Sequence, residues 1–252
     1  MRNDMYMITC SARTGSSLLE TSLLSHPDIQ SSGEVYNPNR VSSLRGRYTS
    51  ILADEAQCDA LTKYRDANQT AFLYKYVFDA QGKKAVGLKL KHEELLLPKF
   101  AETREAIRKD TYIKVIHLRR KNLFARFVSL WLATKVTGVT EIHSEDKRPE
   151  ITTVNIPIRD CHMDFDRSSA RYDFFRKMYQ EHPSLEVTYE DLAGPDQAAE
   201  FARVQEFLGV TPQSLSSKLR KVVNKDLRQI VENYDELAAH FAPTRYAEFF
   251  QE

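Results

Sequence analysis

The first apolar run, MYMITC (Met5–Cys10), is short and β-favouring, and a polar segment containing Gly15 follows it at once. From Ser16 onward, Leu18, Leu19, Leu23 and Leu24 recur at helical spacing until Pro27 ends the stripe. The pattern predicts a strand–loop–helix unit. A short second strand over 29–31 leads into SSGEVYNP, and residues 40–80 read mainly as helices with connecting loops. KAVGLKLK alternates as a strand through Ala85–Leu90, and EELLLPKFAETREAIRKD is helical with a break at Pro98. TYIKVIHL predicts a strand over Thr111–Leu118, and NLFARFVSLWLATKV after it has helical periodicity. From Gly138 to about Arg167 the periodicity fades. A loop that long inside a compact domain usually acts as a lid or binding loop.

A helix through SSARYDFFRKMYQEH precedes a final strand in LEVTYEDL. PDQAAEFARVQEFLG is a helix with Gly209 just past its end. A last helix carries Leu227, Ile230, Val231, Tyr234, Leu237 and Phe241 on one face, which is packing. Strands alternating with helices predict an α/β chain: a central parallel sheet with helices on both faces, in one domain over 1–252.

Composition narrows the function. The chain has 252 residues, 42% of them hydrophobic and 28% charged, with a formal net charge of +1. That balance argues against a nucleic-acid partner, which usually calls for a basic excess. Cations do concentrate locally: Arg104, Arg108, Lys109, Lys114, Arg119, Arg120, Lys121 and Arg126 face only Glu105 and Asp110 over that stretch. Such a run suits either a polyanion pocket or a solvated helix face, and charge counting favours the second. Cys10, Cys58 and Cys161 form no disulfide framework and no zinc spacing. No run approaches the roughly 18 apolar residues of a membrane span, and no secretory signal pattern opens the chain. A cytoplasmic, non-membrane protein is expected. CHMDFD (Cys161–Asp166) follows no known ligand spacing and His92-Glu93-Glu94 is not HExxH, so no metal is expected.

CSARTGSSLL (Cys10–Leu19) carries the first candidate chemistry. A glycine turn between strand and helix leaves backbone N–H groups without intrahelical acceptors, and the helix dipole favours an anion there. Gly15 permits close approach, Ser16 and Ser17 add hydroxyls, and Arg13 adds a cationic fork. A plain N-cap uses the same donors without a ligand. Ser16 stands where GxxxxGK[ST] requires Lys, and GxGxxG is absent. An ATP-dependent small-molecule kinase is thereby disfavoured, and a dinucleotide fold has no support.

Glu34 follows the second strand closely and, in a parallel sheet, comes near the same crevice. A carboxylate beside a bound anion suits a general base toward a hydroxyl, although a surface or capping Glu is the ordinary alternative. The strand over 111–118 is followed by Arg119 and Arg120, with Ser129 two turns into the next helix. Together they can clasp a second phosphate. Taken singly, they are a common strand-end cation and a Ser bonded to a carbonyl one turn back.

The ordered combination is more specific than its parts. A strand followed by SARTGSS, then GEVYNP, then IHLRRKN with a helical Ser, then VTYEDL and a downstream FLGV, resembles sulfotransferases that use 3′-phosphoadenosine 5′-phosphosulfate (PAPS). The likeness is greatest to the bacterial carbohydrate and glycolipid branch. It runs from about residue 6 to about 245 and is weakest over 40–80 and 138–167. It implies a three-layer, P-loop-NTPase-like α/β fold, with PAPS as co-substrate and no metal. By this resemblance Arg13, Thr14, Gly15, Ser16 and Ser17 bind the 5′-phosphosulfate, and Arg120 with Ser129 binds the 3′-phosphate. Arg119 is the alternative partner, because the Arg–Ser spacing is one residue longer than the commonest form. Glu34 matches the base, and Lys89 matches a strand lysine common in relatives. Lys221 is a further candidate to support the nucleotide from the C-terminal region, where the cytosolic branch's Gly-rich motif is absent. The implied acceptor is a hydroxyl of a carbohydrate, glycolipid or other small molecule, its pocket shaped by 36–80 and the 138–167 lid. A non-catalytic nucleotide-binding module of the same fold is the other alternative.

Overall fold

Side-chain alternation along β1 (Asp4–Cys10) builds two cores at once. In the computed structural model, which describes residues 4–151, 153–220, 222 and 226–251, Met5 and Met7 join one apolar cluster while Tyr6, Ile8 and Cys10 join another. The first cluster packs Val86, Leu88, Leu90 and Val115 against Phe72, Phe100, Ile107 and Tyr179. The second packs Ile116, Leu118 and Val187 against Leu19, Leu23, Val204 and Leu208. Helices therefore flank the sheet on two sides, as the strand–helix alternation predicts. A strand covered on both faces reads as an unbroken apolar run, which is the character of MYMITC.

The sheet has five strands, all parallel, in the order β2-β3-β1-β4-β5, with β2 at Ile29–Ser31, β3 at Ala85–Lys91, β4 at Lys114–Arg119 and β5 at Ser184–Thr188. In register, Cys10 stands opposite Lys91 on one side and Leu118 on the other, and Arg119 stands opposite Thr188. β1, β3, β4 and β5 thus end at nearly one level, while β2 stops at Ser31, opposite Gly87. The connection from β1 leads toward the β2 edge and the connection from β3 crosses to β4, so the loops part beside β1. Ligands of open α/β sheets gather at such a point.

The chain divides into two compact units, Met1–Arg119 with Tyr172–Ser217 and Arg120–Arg171 with Lys218–Glu252. The first holds the sheet. In the second, helix Leu123–Trp131 buries Phe124, Phe127 and Val128 among Ile156, Phe165, Leu237 and Phe241. Asn122 caps that helix by accepting from Ala125 N at 2.7 Å, and the buried Arg126 pairs with Asp164.

Several boundaries differ from the pattern-based expectation. β4 starts at Lys114 because Asp110 closes a turn, its carbonyl accepting from Ile113 N at 3.0 Å. YEDL is helix rather than strand: Tyr189–Ala193 begins where the Thr188 side chain accepts from Asp191 N, an N-cap that ends β5. The expected lid is shorter than 138–167, since helix Ile158–Met178 takes in CHMDFD. Cys161 and Phe165 are its buried positions one turn apart, but the acids and His162 around them dilute the periodicity. The last helix is two, Leu227–Ile230 and Tyr234–Phe241, because Val231 between them bridges to Val154. No helix among the described residues is long and apolar enough to cross a membrane.

Candidate functional site

The loop after β1 turns through two left-handed residues, Arg13 at φ 66° and Gly15 at φ 86°. The first is a side chain in a region that costs it about 1 kcal/mol or more, the kind of strain that clusters at ligand-binding turns. Such backbone makes a concavity lined by N–H groups. Helix α1 (Ser16–Leu23) follows with no acidic residue in its first turn and no side-chain cap hydrogen bond. Thr14 shapes the loop from within, donating its hydroxyl to Ser11 O at 2.8 Å. Ser11 in turn shares a hydrogen bond with His92 Nδ1 at 3.1 Å, and the His92 ring stacks on Phe175 with centroids 4.7 Å apart. A Cβ on Gly15 would lie 2.5 Å from the Tyr189 ring. Glycine is required there by packing as well as by φ.

Charge is organised around β3. The Lys89 ammonium donates to Ser17 Oγ at 3.2 Å, and its Nζ is 3.1 Å from Glu20 Oε2 and 3.1 Å from Glu34 Oε1. One cation therefore spans from the start of α1 to the carboxylate beyond β2. The backbone repeats the link, with Lys89 N donating to Gly33 O at 3.1 Å. Glu34 also pairs closely with Lys91, whose Nζ lies 3.8 Å from Glu94 Oε1. Glu20 accepts from Ser31 Oγ at 2.8 Å, which ties α1 to the end of β2.

These contacts set the protonation states. Burial pushes the Glu34 carboxyl up, but Lys89 and Lys91 outweigh it and hold the group below the usual carboxylate range. Burial pushes Lys89 down, and Glu20 with Glu34 more than offsets this, so its pKa stands above that of an ordinary lysine. Glu94 is pushed up to about 7, chiefly by burial, with Lys91 opposing and Glu34 adding to the rise. The Cys10 thiol is pushed up to about 12 by burial and is no nucleophile at neutral pH.

Of the expected site residues, Ser17, Glu34 and Lys89 are joined by direct contacts, and Arg13, Thr14, Gly15 and Ser16 form the adjoining loop. Arg119 ends β4 in the same unit, its guanidinium 5.2 Å from the Tyr172 ring centroid. Arg120 and Ser129 belong to the second unit, both half-buried, with Ser129 in helix Leu123–Trp131. Lys221 lies outside the described residues. The remaining cations of the basic stretch are dispersed: Arg108 and Lys109 pair with Glu105, Lys114 with Asp4, and Arg126 with Asp164.

Four participants carry no motif in the sequence. Glu20 sits between Leu19 and Leu23 on the buried side of α1, an acid where the pattern calls for apolar residues. Lys91 follows Lys89 at the strand period, so KLK places two cations on one face. Glu94 lies in the HEEL helix that continues β3. Arg65 is fully buried and donates to Val35 O at 2.7 Å and Asn37 O at 2.8 Å, pinning the chain just after Glu34. A buried acid, a doubled strand cation and a buried arginine each break the patterning rule, and that is the signal the sequence offers for them.

No family model matches the chain. Among known proteins it is similar to Nodulation protein H of Rhizobium meliloti (strain 1021), 27% identical over 254 residues that cover 98% of this chain and 94% of that one. It is also similar to Nodulation protein H of Rhizobium tropici, 25% identical over 254 residues covering 98% and 92% of the two chains.

Proposed function

We propose that the protein is a sulfotransferase that moves a sulfuryl group from PAPS to a hydroxyl of a carbohydrate, glycolipid or other small acceptor. One observation carries this reading: a lysine-free, left-handed glycine loop is linked through a single buried ammonium, Lys89, to an ionised carboxylate, Glu34. Near full-length likeness to Nodulation protein H supports a sulfotransferase, and the ordered motifs supply the donor and the site roles.

The loop fits a phosphosulfate by its chemistry. Arg13, the N–H groups around Gly15 and the positive end of α1 offer donors to a dianionic group without calling for a metal-bound partner. Ser17 and Lys89 extend that donor set toward Glu34. Sulfuryl transfer is an in-line displacement, helped mainly by positioning and by stabilisation of charge on the leaving oxygen. The acceptor oxygen forms a bond to sulfur as the bond from sulfur to the 5′-phosphate oxygen breaks. The electron pair of the broken bond leaves with adenosine 3′,5′-bisphosphate, and the hydroxyl proton passes to Glu34. Arg120 and Ser129, with Arg119 as the alternative cation, hold the 3′-phosphate.

The test is incubation of the protein with PAPS and mixed glycan and glycolipid extracts, followed by mass spectrometry. A mass gain of one SO3 on an acceptor, dependent on the protein and on PAPS but not on ATP, is the expected result. ATP-dependent gain of a phosphoryl group instead would replace the sulfotransferase with a kinase.

A further inference from the structure

Glu34 has two lysine partners, and each lysine has a second carboxylate within reach. Lys89 stands 3.1 Å from Glu34 and equally 3.1 Å from Glu20, and Lys91 contacts Glu34 and lies 3.8 Å from Glu94. The five side chains make an alternating row, Glu20–Lys89–Glu34–Lys91–Glu94, drawn from α1, β3, the segment after β2 and the helix that continues β3. Both end members are buried, with 8% and 7% of their side chains exposed, whereas the central Glu34 retains 22%.

We infer that Glu20 and Glu94 are positioning residues that serve as standby counter-ions, taking over Lys89 and Lys91 when Glu34 receives the acceptor proton. The inference rests on the sulfotransferase reading and extends it to two residues to which that reading gives no role. Its physical basis is the cost of a buried charge left without a partner. A carboxylate held by two ammonium groups, Lys89 buried and Lys91 half-buried, is a reluctant base, because protonating it would orphan both cations. With Glu20 and Glu94 in place, neither is orphaned. Glu94, pushed up to about 7 by burial, is poised to shed its own proton as Glu34 gains one, which keeps the charge of the row constant. Among the described residues, Lys89 and Lys91 from β3, Cys10 from β1 and Glu94 beyond β3 act on or with Glu34, while Glu20 from α1 joins through Lys89 and Glu93 through Cys10 and Glu94. Cys10 stays a thiol across the working range.

The experiment compares the parent with Glu20→Gln and Glu94→Gln. Transfer from PAPS is followed as kcat against pH, and the Glu34 carboxyl is titrated by carbon NMR without donor. Removing a neighbouring negative charge favours the ionised form of Glu34. The acid limb of kcat and the NMR midpoint should therefore both move down, by about one pH unit in Glu20→Gln, the size one nearby charge commonly gives. Glu94 is already protonated where Glu34 titrates, so Glu94→Gln should leave that midpoint in place and instead abolish the second inflection near pH 7 that ionisation of Glu94 gives the Glu34 signal in the parent. The kcat plateau should fall in both. A folded Glu20→Gln whose Glu34 midpoint and acid limb match the parent overturns the inference, even if kcat is lower, since a merely structural loss leaves the limb in place. If Glu20→Gln does not fold, Glu94→Gln decides: a parent Glu34 signal with no inflection near pH 7, or one that the substitution leaves unchanged, overturns the inference. A parent that transfers no sulfuryl group overturns the sulfotransferase reading, and this inference with it. The NMR midpoints show separately whether the row is coupled.

Discussion

Lys89 Nζ lies 3.1 Å from Glu20 Oε2, and 5% and 8% of their side chains remain exposed. An ion pair so far from water is a poor source of net stability but a costly one to break. Lys89→Met leaves Glu20 and Glu34 without their shared cation, and a loss of about 3–5 kcal/mol is expected at pH 7. The direction of the Glu34 shift fixes the pH dependence. Its pKa is lowered in the folded chain, so its contribution is present above the ordinary carboxylate pKa and is lost as pH falls through the folded value. Urea melts of parent and variant should differ most at pH 7 and converge in acid. An equal gap at both ends of that range would refute the assignment.

Replacing Glu34 by Gln keeps the size of the side chain and removes its ability to accept a proton. Turnover with PAPS should fall by about 10²-fold or more, while thermal stabilisation by adenosine 3′,5′-bisphosphate persists. Near-normal turnover would remove Glu34 as the base.

The left-handed φ of 86° and a Tyr189 ring only 2.5 Å from where a Cβ would sit make Gly15→Ala doubly unfavourable. Backbone strain alone costs about 1–2 kcal/mol, and the ring must also move. We expect a lower melting temperature and little further stabilisation on adding the bisphosphate. An unchanged melt would show that the loop relaxes freely.

Arg120 and Arg119 offer a clean comparison. If Arg120 holds the 3′-phosphate through a charge-assisted hydrogen bond worth about 1.5–3 kcal/mol, Arg120→Ala weakens bisphosphate binding by roughly 10- to 100-fold. Arg119→Ala should have a smaller effect, since its guanidinium already lies over Tyr172. Titration calorimetry of both variants measures the order, and the reverse order would assign the contact to Arg119.

His117 predicts acid sensitivity. Burial lowers its pKa to about 4 from an ordinary 6.5, with Glu186 opposing the shift. A base that is harder to protonate when folded contributes stability above pH 6.5 and loses it as pH falls toward 4. The amount is roughly 3 kcal/mol at the linkage rate of about 1.4 kcal/mol per unit. Melts of His117→Asn between those pH values should be flatter than the parent's. Equal slopes would show that other groups govern acid unfolding.

Apolar runs and helical stripes are local, so MYMITC, KAVGLKLK and the stripe from Leu18 to Leu24 announce β1, β3 and α1 in the sequence alone. Gly15 and the missing lysine are equally local, and they mark the glycine loop after β1. Two departures from the pattern are local as well: acids around Cys161 and Phe165 hide a helix start, and Thr188 caps a helix where the pattern continues a strand. The charge row lies beyond any local pattern. Glu20 and Glu34 come from neighbouring segments, but Lys89 comes from a strand far along the chain, and their meeting depends on β3 lying between β1 and β2. Local spacing determined where strands, helices and the glycine loop form. Only the strand order decided which buried carboxylates share which lysines, because long-range electrostatic pairing follows from packing and leaves no period in the chain.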